Sequence, residues 1–492
     1  MSRVNRLILP SFAAAALGAM TARAAEPQIV PTPRAAPLAV SAASRPFLFQ
    51  DLAARGYADS EFTVRGLASV LEWDAAGKEA VARGAPVPYV TRLLVRRPVD
   101  ARRFSGLVVL ELLNPTTLED TAPVWTAAQE ELVRAGHAWV GLTIKPVALR
   151  ALKAHDASRY EALAFAYQQS PECRPAAGLP GVPGSDGTAL ASPASENGLA
   201  WDAIAQAGAL IRSGSSENPL RDLEPRRLVV AGAGESADYL VTFLNAAQPR
   251  VRLGDGGSVF DAYVLVGAGL ADVPVNQCAT PLPPTDARRQ IPPQGPPVFS
   301  IATSSELARA LHLRRDDSDE PRAFSRRYEI AGASLTPRPA EGEHPCEEPA
   351  ADLPLSWAMN AMVSNLAQFL FVGTAPPRTP LVSIDTGGQL ALDGFGNAIG
   401  GWRLPQVQVP LASYSPRSTP RRADDAASVW RCSLTGSMRR FDSAEMKRLY
   451  GNRAEYVQRF NAAVDQAVGE RLLVPADGIA LKANVARSAP AF

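Results

Sequence analysis

The stretch richest in possible chemistry is Leu228-Val229-Val230-Ala231-Gly232-Ala233-Gly234-Glu235-Ser236-Ala237, which reads as a strand, a tight turn of small residues and a helix start. Two kinds of site use such a turn. As G-x-G-x-x-A it would let backbone approach a pyrophosphate at a helix N-terminus, as in dinucleotide binding. That use needs an acidic residue closing the next strand to hold a ribose, but here the strand runs into Gly267-Ala268-Gly269, with Asp261 at its start. The turn also lies mid-chain, whereas the fingerprint opens such a domain. The second use is a nucleophile elbow, G-x-S-x-G, whose strained turn lifts a serine above a sheet. Gly232-Ala233-Gly234-Glu235-Ser236 has the small residues, yet Gly234 stands in the nucleophile's place and Ser236 comes two residues late. Glycine tolerates unusual dihedrals better than serine, so the turn is expected to keep its shape while losing its chemistry.

Substitutes exist in the right order. Ser236, Glu306 and His344 follow one another as nucleophile, acid and base would. Order is necessary and cheap, and each has a plainer role. Ser236 is expected to cap the helix that follows, and His344, in a Pro/Glu-rich loop, to be solvated. Glu235 would set a negative charge where backbone N–H groups must stabilise an oxyanion, a place where losing one donor costs about 10²–10³ in rate. Its plainer role is a favourable carboxylate at a helix start. Asn114, ending a strand, is expected to shape the loop that supplies oxyanion N–H groups. Gly232, Gly234, Glu235 and Asn114 thus outline the candidate elbow region. His137, His155 and His312 read as structural or solvated, with His312 inside a charged helix expected over Glu306 to Arg315.

Composition bounds the rest. With 492 residues, 46% apolar and 20% charged, the chain has enough apolar surface for a large core, which excludes disorder. Fifty basic against 49 acidic residues leave a net charge of +1, so no nucleic-acid partner is expected. Only Lys78, Lys145, Lys153, Lys447 and Lys482 are lysines, a skew that by itself says nothing about chemistry. Arg3 and Arg6, an apolar run from Leu7 to Met20 and Ala22-Arg23-Ala24 read as a signal peptide over residues 1–24, hence a periplasmic or secreted protein. No later run approaches the ~18 apolar residues of a membrane span. Cys173, Cys278, Cys346 and Cys432 are far apart with no C-x-x-C spacing, which favours disulfides over a metal site. Four cysteines allow three full pairings, all open at this level. No cofactor or metal is expected.

The elements that must position the turn follow from periodicity. A Pro/Ala-rich leader over residues 25–44 precedes one domain over 45–492. Strands are expected at Glu61 to Val70, Val87 to Val95 and Gly106 to Leu113. Alternation then sets in: helix Ala122 to Ala135, strand Ala138 to Ile144, helix Ala200 to Ile211, strand Arg227 to Ala231 and helix Ser236 to Ala246. Strands at Ala262 to Val266, Val298 to Ala302 and Arg327 to Ala331 continue it. Almost continuous β-rich apolar runs separated by helices indicate a mostly parallel α/β sheet of about eight strands, buried on both faces. The last third adds a helix Leu355 to Phe371 stopped by Gly373, a hairpin near Asp393 to Gly401, and helices Ala444 to Tyr450 and Glu455 to Val468.

Several stretches resemble one family. They are Val108-Val109-Leu110-Glu111-Leu112-Leu113-Asn114, Gly136-His137-Ala138-Trp139-Val140-Gly141, Asn197-Gly198-Leu199-Ala200-Trp201-Asp202 and, most of all, Asp393-Gly394-Phe395-Gly396-Asn397-Ala398-Ile399-Gly400-Gly401 running on to Val409-Pro410. From about Ala53 to Lys482 the chain resembles the exported bacterial "alpha/beta hydrolase domain" family. The resemblance implies an α/β-hydrolase fold with C-terminal helical and hairpin elaboration and an elbow of the form G-x-S-Q-S, of which only Ser236 remains. It implies an acid at Glu306 and a histidine where Leu335 stands in Ala331-Gly332-Ala333-Ser334-Leu335. It also places Cys346 and Cys432 in family-like stretches, and a disulfide between them is expected. At family level the chain reads as an esterase-like hydrolase acting on a small-molecule ester. The other reading is an inactive relative that keeps the fold to bind a ligand or partner.

Overall fold

The computed structural model describes residues 28–29, 34–37, 50–173, 192–307, 309–335 and 345–492. The expected signal peptide, most of the leader and His344 lie outside the described residues. Two long strands, β1 (Tyr57–Trp73) and β2 (Ala80–Pro98), form an antiparallel hairpin whose far end, from Val81 to Pro88 on β2, is largely exposed. Six short strands follow: β3 (Leu107–Leu112), β4 (Ala138–Leu142), β5 (Arg227–Ala233), β6 (Ala262–Val266), β7 (Val298–Thr303) and β8 (Ser325–Ile330). Within the expected leader, Arg34–Pro37 adds an edge strand beside β1.

The nine strands make one sheet in the order β8-β7-β6-β5-β3-β4-β2-β1 and then the edge strand. From β4 to β8 every pairing is parallel. Strand succession reverses around β3, so the crevice between the carboxyl ends of β3 and β5 is where an open α/β sheet places a ligand. Both faces are covered, which is why the middle strands are mostly apolar, with Glu111 the one charged residue of β3. Helices α1 (Pro123–Arg134) and α5 (Ser356–Val372) bury their apolar sides in one layer. Helices α3 (Ala200–Arg212) and α4 (Glu235–Ala246) do so in the other. Helices α7 (Ser443–Tyr450) and α8 (Arg453–Gly469) form where the sequence places them, whereas α2 (Pro146–His155), α6 (Ala426–Leu434) and α9 (Pro475–Ser488) lie outside the expected elements; α8 and α9 pack as a pair. The last pair encloses a small core of its own around Phe460, Val464 and Leu481.

One buried carboxylate ties the central strand to its neighbours. Glu111 of β3 accepts the N–H groups of Val124 and Trp125 at 2.8 Å each, satisfying orphan donors of the first turn of α1, and the indole N–H of Trp139 at 2.8 Å. Arg96 lies over the rings of Trp125 and Trp139 at 4.6 and 4.8 Å. α5 ends as expected on Gly373, whose φ of 76° lets its N–H close back on Phe369.

The expected helix over Glu306 to Arg315 does not form; among the described residues the segment holds only a single 3₁₀ turn at Leu311–Leu313. Its charged side chains bond outward instead of along a helix. The Glu306 carboxylate turns back onto Thr303, Arg314 forks onto Glu329 at 2.9 and 2.7 Å, and Arg315 donates to the carbonyls of Pro292, Pro293 and Ala323.

Two disulfides join Cys173 to Cys278 and Cys346 to Cys432. The second pair is fully buried, whereas both cysteines of the first are partly exposed. Thiolate attack needs access to a sulfur. A dithiol reductant added to the native protein is therefore expected to open Cys173–Cys278 first, as read by alkylation and peptide mapping; simultaneous opening would contradict it.

Candidate functional site

The strand-to-helix turn has the backbone of an elbow. Gly234, between β5 and α4, sits at φ 57° and ψ −125°, a conformation a side chain adopts only under strain. A Cβ there would lie 3.0 Å from Asn114 Nδ2. Gly232 is held closer still: a Cβ on it would meet the Ser236 carbonyl oxygen at 2.5 Å, so only glycine lets β5 and α4 approach this tightly. The turn is elbow-shaped with no side chain at its apex.

Asn114 links this turn to the loop after β3. Its Nδ2 donates to the Ala233 carbonyl at 2.6 Å and its Oδ1 accepts the Thr116 N–H at 2.8 Å. The Asn114 N–H itself goes to Thr121 O at 2.8 Å. Since Pro115 has no N–H, residues 114–116 leave no backbone donor for an oxyanion.

Ser236 does not cap α4, contrary to expectation. It lies inside the first turn rather than before it, and its Oγ donates across to the Leu113 carbonyl at 3.0 Å, fully buried. Glu235 joins Lys145, which follows β4, in a hydrogen-bonded ion pair, and its other oxygen accepts from Thr116 Oγ1 at 3.4 Å. The Lys145 ammonium also lies 5.9 Å from the Tyr239 ring centre. Behind it, Arg92 pairs with Asp120 at 2.7 Å and Glu61 at 3.5 Å, while Tyr160 and Arg159 donate to Glu61. Sequence reasoning missed Lys145 and this network; the readable signals were a lysine ending a buried strand and charges set within apolar runs.

Glu306 is fully buried just past β7, and burial raises its carboxyl pKa against hydrogen bonds from Thr303 and Ser305 that lower it. The Thr303 N–H reaches it at 2.6 Å and Ser305 Oγ at 2.8 Å. Leu335 is anchored by its N–H to Ser305 Oγ at 3.0 Å. A Cβ on Gly267 would lie 2.8 Å from Leu335 Cδ1 and 3.2 Å from Glu306 Oε1, so leucine and acid converge on one spot. An isobutyl group neither accepts nor delivers a proton. Among the described residues no cluster of three or more His, Cys, Asp or Glu is placed to hold a metal ion.

Asp238, one turn into α4, accepts the N–H groups of Gly269 and Ala271 at 2.6 and 2.8 Å and so fixes the loop after β6. Of the remaining histidines, His137 is buried with its Nδ1 2.6 Å from Ser105 Oγ, and burial depresses its pKa to about 4. His312 comes within 3.2 Å of the position a Gly269 Cβ would take, and burial lowers its pKa too.

Two outcomes follow from this geometry. Gly234→Ala should cost about 1–3 kcal/mol of stability, the usual scale for a side chain in such a conformation; urea unfolding at wild-type stability would contradict it. Burial pushes the Asp238 carboxyl from 3.8 up to about 7. A folded-state value above the unfolded one penalises the ionised form, so this penalty is absent below about pH 4 and complete above about pH 7. Between pH 5 and 8 the wild-type Tm should therefore fall relative to that of Asp238→Asn. A pH-independent difference would show that Asp238 does not titrate in this window.

A family described as "Alpha/beta hydrolase domain" matches residues 33–483. Among solved structures, the chain is similar to a hyperthermophilic esterase from the archaeon Pyrobaculum calidifontis, with 15% identity, 54% of this chain and 74% of that chain covered, and a TM-score of 0.27. It is similar to a glucuronoyl esterase from Solibacter usitatus, with 10% identity, 62% and 83% covered, and a TM-score of 0.29. A carboxylesterase from Lactobacillus plantarum shows 13% identity, 50% and 76% covered, and a TM-score of 0.28. No curated protein matches. The family match spans nearly the whole chain and agrees with the strand order and the elbow turn: the chain belongs to the alpha/beta hydrolase domain family.

Proposed function

We propose that this chain is a non-hydrolytic member of its family that keeps the sheet and elbow to bind a small molecule at the crevice between β3 and β5. The observation that carries the reading is Gly234 at the apex of the turn, where covalent ester hydrolysis needs a hydroxyl. Leu335 beside Glu306 and the absence of a free backbone donor at residues 114–116 support it. The esterase-like reading has chain order on its side, with Ser236, Glu306 and His344 in sequence. Against it, the Ser236 hydroxyl is buried and bonded to Leu113 O.

A fluorophosphonate probe separates the two. The wild-type protein should remain unlabelled and leave short-chain esters intact; labelling and turnover that disappear in Ser236→Ala would defeat the non-hydrolytic reading.

We also infer export. The order of charged start, apolar run and small-residue cleavage signal supports it, as do two disulfides, which persist in oxidising compartments. Expressed with its full N-terminus in a bacterial host, the protein should be recovered outside the cytoplasm beginning near Ala25. An intact Met1 terminus in the cytoplasm would overturn this.

A further inference from the structure

We propose that Lys145 is the anchor for the ligand of this site and that the group it holds is the oxygen of a neutral carbonyl. The proposal rests on the non-hydrolytic reading, since an ester held there must survive. The lysine's side chain is 6% exposed, and among the described residues its one hydrogen-bond acceptor is Glu235 Oε1. An ammonium carries three donors, so two N–H groups stay unsatisfied in a place where water hardly reaches. Buried donors of this kind call for an acceptor.

The surroundings narrow its chemistry. Glu235 begins α4 immediately after Gly234, so the ammonium lies beside the apex of the elbow, in the crevice that the topology reserves for a ligand. Backbone donors that would hold a carbonyl oxygen are occupied or missing at residues 114–116, so Lys145 supplies a side-chain donor here beside the first-turn N–H groups of α4. Glu235 already balances its charge. A carboxylate ligand would add a second negative charge to a nearly buried, neutral pair, a costly burial. A cationic ligand would find both Glu235 oxygens engaged, one by Lys145 and one by Thr116 Oγ1. A neutral carbonyl fits both limits: it accepts from Lys145 and brings no charge. Thr116 and Glu235 retain partial exposure and form the approach to the pair.

The chain's five lysines make the test direct. With 13Cε-labelled lysine, the full-length protein gives one signal for each, and that of Lys145 is assigned by its loss in the variant Lys145→Met. Methyl butyrate and sodium butyrate are then titrated separately. Methyl butyrate should move the Lys145 signal saturably, and butyrate should not. Saturation by butyrate alone, or no movement with methyl butyrate, overturns the proposal. The double variant Lys145→Met with Glu235→Gln keeps the buried charge balanced and guards against simple unfolding, which thermal melting checks. In it, methyl butyrate binding followed on the ester's own resonances should weaken roughly tenfold or more, the scale of a hydrogen bond to a charged donor. Unchanged affinity overturns the assignment. The same spectra report the other question independently: release of butyrate and methanol would refute the non-hydrolytic reading whether or not the lysine signal shifts.

Discussion

The geometry of the whole site descends from one buried carboxylate, Glu111. It lies at the end of the central strand β3, fully enclosed, and holds three N–H donors from two different elements. Two of them fix where α1 begins, so the loop between β3 and α1 has a set length and both its ends are pinned. That loop carries Asn114 and Thr116, the residues that reach across to the elbow turn and to Glu235. Were the start of α1 free to slide by a turn, Asn114 would no longer meet the Ala233 carbonyl.

Around the crevice, charge is kept in balanced sets. Glu235 with Lys145, and Arg92 and Arg159 with Glu61 and Asp120, are each compensated within a few ångströms. Burying charges in this way is seldom a strong source of stability, because desolvation offsets much of the attraction. What such sets do provide is position: each member has one low-energy partner, and breaking a pair leaves a charge stranded. The carboxyl ends of β3, β4 and β5 are therefore joined by polar contacts even though the strands themselves are mostly apolar.

Much of this was legible in the sequence where the signal is local. The middle strands appeared almost at their observed bounds because short β-rich runs buried on both faces are dominated by apolar residues. The long hairpin β1–β2 extends past the expected bounds because its added stretch Ala80 to Pro86 is largely exposed and made mostly of small residues with a proline, which gives no strand-like apolar pattern. The elbow was legible because two glycines at fixed spacing leave few backbone choices. Ser236 was misread for the opposite reason: capping is a local preference, but its hydroxyl bonds to Leu113, 123 positions away, through the adjacency of β3 and β5. The Lys145–Glu235 pair, 90 residues apart, depends likewise on topology. Over Glu306 to Arg315 the charge pattern looked helical, and tertiary acceptors claimed those side chains instead.

An active-site turn ordinarily couples function to instability, because the reacting residue is held in a conformation its own side chain resists. At Gly234 that coupling is dissolved. The turn keeps its shape as a relaxed state of the backbone, so nothing in the fold has to compensate for it. Its rigidity then comes from neighbours, Asn114 on one side and the Glu235–Lys145 pair on the other, and a ligand meeting those groups meets a surface set before it arrives.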